Sequence, residues 1–288
     1  MSHALFEKGR ESFLAADTDF AADTMNMVAL DLGTADTGIK AITGATNATP
    51  IVITATSHGF ANGDTVIIGG VGGNLSANGK WKVANQAANT FELTRYADGT
   101  NSVGSAAYTS GGYAVCLGPS GAGDFLDDFS AARVGSDQTL GTKTVTSGVA
   151  DAADPTFTSI TGATIEAVAV YESTGAEATS PMIAFYDGKI QVVVSADAAS
   201  SATTLWVEPL AAGIPNSSTL VFSNGVTATM TALAAAGARS LTVSALPGAI
   251  AAGNQADVTH TSANLPFTPN GGNLNVTIDS GTNRLFKL

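Results

Sequence analysis

Thr204-Leu205-Trp206-Val207-Glu208-Pro209-Leu210 and Ser240-Leu241-Thr242-Val243-Ser244-Ala245-Leu246 are one phrase written twice, 36 residues apart. The match runs on to Ile214 and Ile250, so that residues 204–218 and 240–254 form an internal repeat. The positions held are Leu205/Leu241, Val207/Val243, Leu210/Leu246 and Ile214/Ile250, and all are apolar. A duplicated active site keeps its polar residues, because they carry the chemistry. A duplicated packing unit keeps its buried residues and lets the rest drift. Leu and Val at alternate positions also set a period of two, which is that of a half-buried strand. The repeat therefore reads as β architecture.

The composition agrees with this reading. Of 288 residues, 44% are hydrophobic and only 12% charged, against about 25% charged in an average soluble domain. Thirty-two glycines favour short strands and many turns. The remaining surface is rich in uncharged hydroxyl and amide groups and suits packing against copies or a larger assembly. The net charge is −12, and the longest basic cluster is Lys80-Trp81-Lys82. Neutralising a phosphate backbone takes clustered Lys and Arg, so no nucleic-acid partner is expected, nor an anionic membrane. No stretch reaches the ~18 apolar residues of a membrane helix. Residues 1–10 hold no apolar signal segment, which points to synthesis and retention in a cytoplasm. With Cys116 the single cysteine, an intrachain disulfide and a cysteine-based zinc site are excluded. Its apolar setting predicts a buried thiol.

Around the repeat the chain divides by texture. Residues 3–16 are the expected helix, with Ser2 as cap and Leu5, Phe6, Phe13 and Leu14 on one side, Gly9 being its weak point. Met25–Leu32 reads as a half-buried strand from the alternation of Met25, Met27 and Ala29. Residues 50–56, 65–68, 80–83 and 89–94 read as short strands, with Asn78-Gly79 as a hairpin turn. Further strands are expected at 141–145, 167–171, 182–186, 274–279 and 284–288, with a turn at 280–283. A helical turn is expected at 125–129, and a bend, or alternatively a short helix, at Ala234-Ala235-Ala236-Gly237. The expected fold is mainly β. Residues 1–42, 117–190 and 263–288 make a discontinuous β-sandwich or barrel core with one N-terminal helix. Residues 43–116 are an inserted small β-barrel-like module, and residues 191–262 a second inserted β module containing the repeat. Insertions are best tolerated at loop tips.

Several constellations invite a chemical reading. Val28-Ala29-Leu30-Asp31-Leu32-Gly33-Thr34 is similar to the first phosphate motif of actin-like and sugar-kinase ATPases. The partner phosphate loop and the alternating α/β pattern are missing, so a strand ended by an Asp-x-Gly turn is expected. Gly69–Gly73 and Gly118–Gly123 lack the features of a P-loop or a dinucleotide turn. His3, His58 and His260 share no ligand spacing and are expected at the surface or in turns. Asp124, Asp127, Asp128, Asp151, Asp154, Glu166, Glu172 and Glu177 could supply a glycosidase pair, but nothing in the sequence brings two together. Asp17-Thr18-Asp19 and Asp151–Asp154 could bind calcium through loop oxygens, but neither matches the twelve-residue EF-hand loop. No catalytic, cofactor or metal residue is assigned. Trp81 and Trp206 are each expected to anchor an inserted module, and Phe125 and Leu126 complete the candidate packing and interaction residues. A tryptophan on an exposed β face can instead stack on a sugar ring, as in a carbohydrate-binding module.

The core segments resemble structural proteins of tailed-bacteriophage virions. The residues concerned are Phe125-Leu126-Asp127-Asp128, Lys143-Thr144-Val145, Gly148–Asp154 with Phe157, Ala169-Val170-Tyr171, Thr174-Gly175, Ala178-Thr179-Ser180, Thr268–Gly272, Asp279, Gly281, Asn283 and Phe286-Lys287-Leu288. The segment 43–116, with His58-Gly59-Phe60, Gly63-Asp64-Thr65-Val66 and Asn78-Gly79-Lys80-Trp81, resembles a small β domain of phage tail and fibre proteins. The phrase at 236–243 resembles segments of head-decoration proteins. The resemblance implies a non-enzymatic capsid decoration (cement) protein on the virion exterior. Its partners would be the major capsid protein and further copies of itself, in a homotrimer. A tail, collar or fibre component that touches the host surface is the alternative, followed by a glycan hydrolase.

Overall fold

The computed structural model describes residues 3–210, 212–259, 265–278 and 285–287. The chain is mainly β, with 37% of residues in strands and 8% in helices. It divides into two compact units, one holding residues 3–39, 117–187 and the described part of 264–288, the other residues 40–116 and 188–259.

The first unit is built on a five-stranded sheet in the order His3–Leu5, Met182–Tyr186, Ala167–Glu172, Met25–Leu30, Gln138–Thr139, with every neighbouring pair antiparallel. Met25–Leu30 is not half-buried. Only Asn26 is partly open, because the strand lies inside the sheet with both faces covered. The N-terminal helix is shorter than expected. Residues 3–5 add an edge strand beside Met182–Tyr186, Phe6 stays extended, and the helix runs Glu7–Ala15. Ser2, the expected cap, lies outside the described residues, and Leu14 is 90% exposed. Gly9 is what lets this helix lie on the sheet. A Cβ there would come within 2.8 Å of Ile183 Cα and Met182 O, closer than any side chain tolerates. Phe6 fills the space beside the helix with edge-on contacts to Phe129 and Phe185, and Phe286 packs against Phe13 and Phe20. Short ladders complete this unit. Thr144–Thr146 pairs with Val149–Asp151, which pairs with Phe286–Lys287, and Thr156–Phe157 pairs with Leu274–Asn275. Expected strand residues 279, 284 and 288 and the expected turn at 280–283 lie outside the described residues.

In the second unit, residues 40–116 contribute most of a seven-stranded sheet. Its order is Ile39–Ala41, Tyr113–Cys116, Thr65–Gly69, Gly79–Ala87, Thr90–Arg95, Val52–Thr54, Gly44–Ala45. Asn78-Gly79 is not a hairpin turn. Thr65–Gly69 and Gly79–Ala87 are joined by a longer loop containing the 3₁₀ turn Leu75–Ala77. Asn78 braces that loop. Its Oδ1 accepts from Val71 N–H (2.9 Å), and its Nδ2–H donates to Val71 O (3.1 Å) and Leu75 O (3.2 Å).

Residues 188–259 belong to the same unit, so the two segments read as separate insertions are joined. Val103 N–H donates to Ser223 O (2.9 Å), Arg95 Nη1–H to Ala252 O (3.3 Å), and the Gln255 side-chain amide to Lys80 O. The 36-residue repeat is far more extensive than its most legible phrase. Thr204–Trp206 and Ser240–Thr242 pair antiparallel with each other, Leu205 directly opposite Leu241. Lys189–Val193 pairs with Gln255–Thr259, matching Val192 to Ala256. Thr219–Val221 pairs with Thr227–Thr229, matching Leu220 to Ala228, which is the same pairing shifted by 36 in each strand. The bridges Val194↔Val207 and Met230↔Val243 are related in the same way, as are Ala198↔Ile250 and Ile214↔Ala234.

The pairing thus has an internal twofold. The first strand of each copy bonds the last strand of the other, and neither copy closes its sheet alone. Each buried residue of this core has its partner 36 positions away in the same core. The exception is Ile190, whose partner Val226 packs against the core from the margin. Between 190–222 and 226–258 eight positions are identical, all Ala, Val, Leu or Ile; five of these pairs are buried in the core, Ala202/Ala238 packs at its margin, and Ala196/Ala232 and Ala199/Ala235 are exposed. Ala234–Gly237 forms a bend and not a short helix, with Gly237 at φ +78°.

Candidate functional site

Among the acidic residues, the structure brings two carboxyl groups together that are far apart in sequence. The strand Met25–Leu30 ends at Asp31. Its Oδ1 accepts from Gly33 N–H (2.8 Å) and its Oδ2 from the Thr34 hydroxyl (2.7 Å). Gly33 and Thr34, the residues of the phosphate-like motif, are thus engaged by the Asp31 turn itself. Glu166 Oε2 accepts from Leu32 N–H (2.9 Å), which sets its carboxyl beside the Asp31 turn. Burial, and then the negative charge of Asp31, hold the Glu166 pKa above the usual carboxylate value. Glu166 N–H donates to Leu30 O (3.0 Å) and Asp31 N–H to Ala132 O (2.8 Å). The pair latches the ends of neighbouring strands.

The other acids are acceptors for turns and caps. Asp128 takes Gly123 N–H and Phe125 N–H at the start of the 3₁₀ helix Leu126–Ala132, where burial raises its pKa. Asp127 is exposed and Asp124 half-buried. Asp154 accepts from Ile278 N–H (2.8 Å), Glu172 takes the Thr18 hydroxyl, and Asp151 closes the hairpin strand Val149–Asp151. Asp19 accepts from Ala21 and Ala22 N–H within its own turn. Arg133 joins Asp137 (2.7 Å) to Glu177, and Tyr171 donates to Asp137 (2.6 Å). Burial, together with that carboxylate partner, pushes the Tyr171 pKa up to about 12.

His58 is not a surface residue: it is 1% exposed. Its Nδ1 accepts from Phe60 N–H (3.0 Å), so Nε2 carries the proton and donates to Ala87 O (2.7 Å), while the ring packs on Phe60 and Phe91. It pins a turn to the sheet. His3 begins the edge strand, and His260 lies outside the described residues. Cys116 is buried, its Sγ 3.7 Å from Asp64 Oδ2. Among the described residues no group of three or more His, Cys, Asp or Glu is placed to hold a metal ion, and no helix is long and apolar enough to cross a membrane.

The four candidate packing and interaction residues fall in different settings. Leu126 is buried, and Phe125 is half-buried with the Lys8 ammonium 5.6 Å from its ring centre. Trp81 is fully buried and donates its indole N–H to Ala77 O (2.8 Å). Trp206 does not anchor its module. It is 55% exposed, because strand alternation turns Leu205 and Val207 inward and leaves Trp206 outward.

The twofold lays out the face on which Trp206 stands. Ser195, Trp206 and Ser240 form one row across three neighbouring strands, and Thr231, Thr242 and Thr204 form the symmetry-related row. All six are exposed. Sequence periodicity contained this outward orientation, since Trp206 sits between two residues the repeat preserves. What it lacked was any sign that the core is complete without the indole. No protein-family model matches the chain, and no curated protein matches it significantly.

Proposed function

We propose that the chain is a structural component of a tailed-phage virion, a capsid decoration protein that binds the head exterior across major capsid subunits, as a homotrimer. The observation that carries this reading is the repeat. Its two copies hold eight residues in common, all apolar, so duplication preserved a scaffold. The resemblance of the core segments to virion proteins supplies the setting. A net charge of −12 suits a surface that does not meet packaged DNA. A protein that binds only the assembled shell stabilises it by mass action. The exposed Trp206 favours a second reading, a tail, collar or fibre component that touches the host surface.

The test uses particles made without this chain. They are expected to release DNA at a lower temperature, and added purified protein should bind the heads and restore resistance. Equal heat resistance, with no binding of added protein to heads, would overturn the decoration reading.

A further inference from the structure

We infer that the outward face centred on Trp206 is a binding site for a neutral glycan. The inference does not depend on the virion reading. In the related half of the module the position of Trp206 is Thr242. Both strands pair in the same register and bury the same leucine and valine, so packing does not require the indole. An exposed tryptophan where the equivalent site has threonine needs another explanation.

The chemistry of the face narrows the partner. Around Trp206 stand five hydroxyls, those of Ser195, Ser240, Thr231, Thr242 and Thr204, and none of them has a protein hydrogen-bond partner among the described residues, nor has the Trp206 indole N–H. None of the six positions is ionisable; the nearest charge along the Trp206 strand is Glu208, two residues on. A phosphate or an anionic lipid finds no complementary charge on these rows, and Glu208 alone is too little to hold a basic peptide. A stable protein partner needs about 800 Å² on each side with an apolar centre; the large apolar side chains exposed in the described part of this module are Trp206 and Leu233, and an aromatic side chain supplies at most about 250 Å². A pyranose ring fits better. Its axial C–H face packs on an indole, and its equatorial hydroxyls need donors and acceptors at the rim. Strands spaced about 4.8 Å apart place the row of three side chains at the width of one or two sugar rings.

The two tryptophans make the test direct, since Trp81 is buried and Trp206 exposed. The probes are maltoheptaose and chitohexaose, followed by tryptophan fluorescence and acrylamide quenching of the full chain. At least one is expected to bind with Kd on the order of 1 mM or tighter, shift the emission to the blue and protect Trp206 from quencher. Trp206→Thr installs the residue of the equivalent site. It should keep the fold and weaken binding by about tenfold or more. Thr242→Trp should add a second platform and tighten binding. Failure of both oligosaccharides to protect Trp206, or binding unchanged in Trp206→Thr, would overturn the inference. So would a Trp206→Thr variant that lost self-association instead, since the face would then be a contact between copies.

Discussion

Leu205 and Leu241 lie directly opposite each other on adjacent antiparallel strands, both buried, at equivalent places in the two copies of one repeat. Each copy supplies half of a core that neither encloses alone. Leu205→Ala and Leu241→Ala should therefore cost similar amounts, each about 2–5 kcal/mol. Because the side chains face each other across the pair, the double variant should depart from additivity by about 0.5 kcal/mol or more. Urea denaturation of the four proteins in the cycle measures this. Strictly additive costs would mean that the two leucines do not share a cavity.

The twofold also predicts which backbone positions are strained. Gly237 and Gly253 sit at φ +78° and +82°, and their equivalents Ser201 and Ser217 sit at +69° and +66°. A non-glycine residue in the left-handed region pays a steric penalty that glycine avoids, partly offset by the greater freedom glycine loses on folding. Ser201→Gly and Ser217→Gly should each stabilise by about 0.5–1 kcal/mol. Gly237→Ala should destabilise by about 1 kcal/mol, a backbone effect alone, since a Cβ there meets nothing within 4 Å. Thermal melts decide both signs.

Glu166 makes stability depend on pH. Its pKa is raised in the fold by burial and by Asp31, so the native state holds a proton that the unfolded chain releases. Its contribution is complete below the ordinary value of 4.5 and is lost as pH rises through the folded value. Glu166→Gln keeps a neutral side chain at every pH. It should raise the melting temperature at pH 7–8 and leave it nearly unchanged at pH 4. An equal shift at both values would remove the proposed linkage.

Asn78→Ala removes three hydrogen bonds that close the loop between Thr65–Gly69 and Gly79–Ala87. Val71 is buried, so its backbone groups are left without partners, at a cost of about 1–3 kcal/mol. Hydrogen exchange should speed up at the Val71 amide before it does in the flanking strands. Uniform acceleration across the sheet would mean that Asn78 supports more than the loop.

What was legible in the sequence follows from range. Met182–Tyr186 is a strand with the bounds that its apolar run suggests, and Thr65–Gly69 and Thr90–Arg95 differ from expectation by a residue or so, because β-branched and aromatic runs signal strands locally. Local preference and structure part where a distant partner overrides it. Gly9 weakens a helix in isolation, yet it gives this one its close approach to Ile183. His3–Leu5 has helix-like neighbours but finds a free sheet edge. Asn78-Gly79 is hairpin chemistry used to brace a loop. The Asp31–Glu166 pair and the placement of Trp206 depend on which strands meet. Only the repeat carried any long-range information of that kind, because its two copies turn out to be each other's partners.

The measurement that bears most directly on the structural role is the copy number of this chain in purified phage particles, by quantitative gel densitometry against the major capsid protein. A decoration protein should be present in hundreds of copies per head, and a tail or collar component in about six to eighteen. Hundreds of copies is the expected result; absence of the chain from the particles would contradict the account.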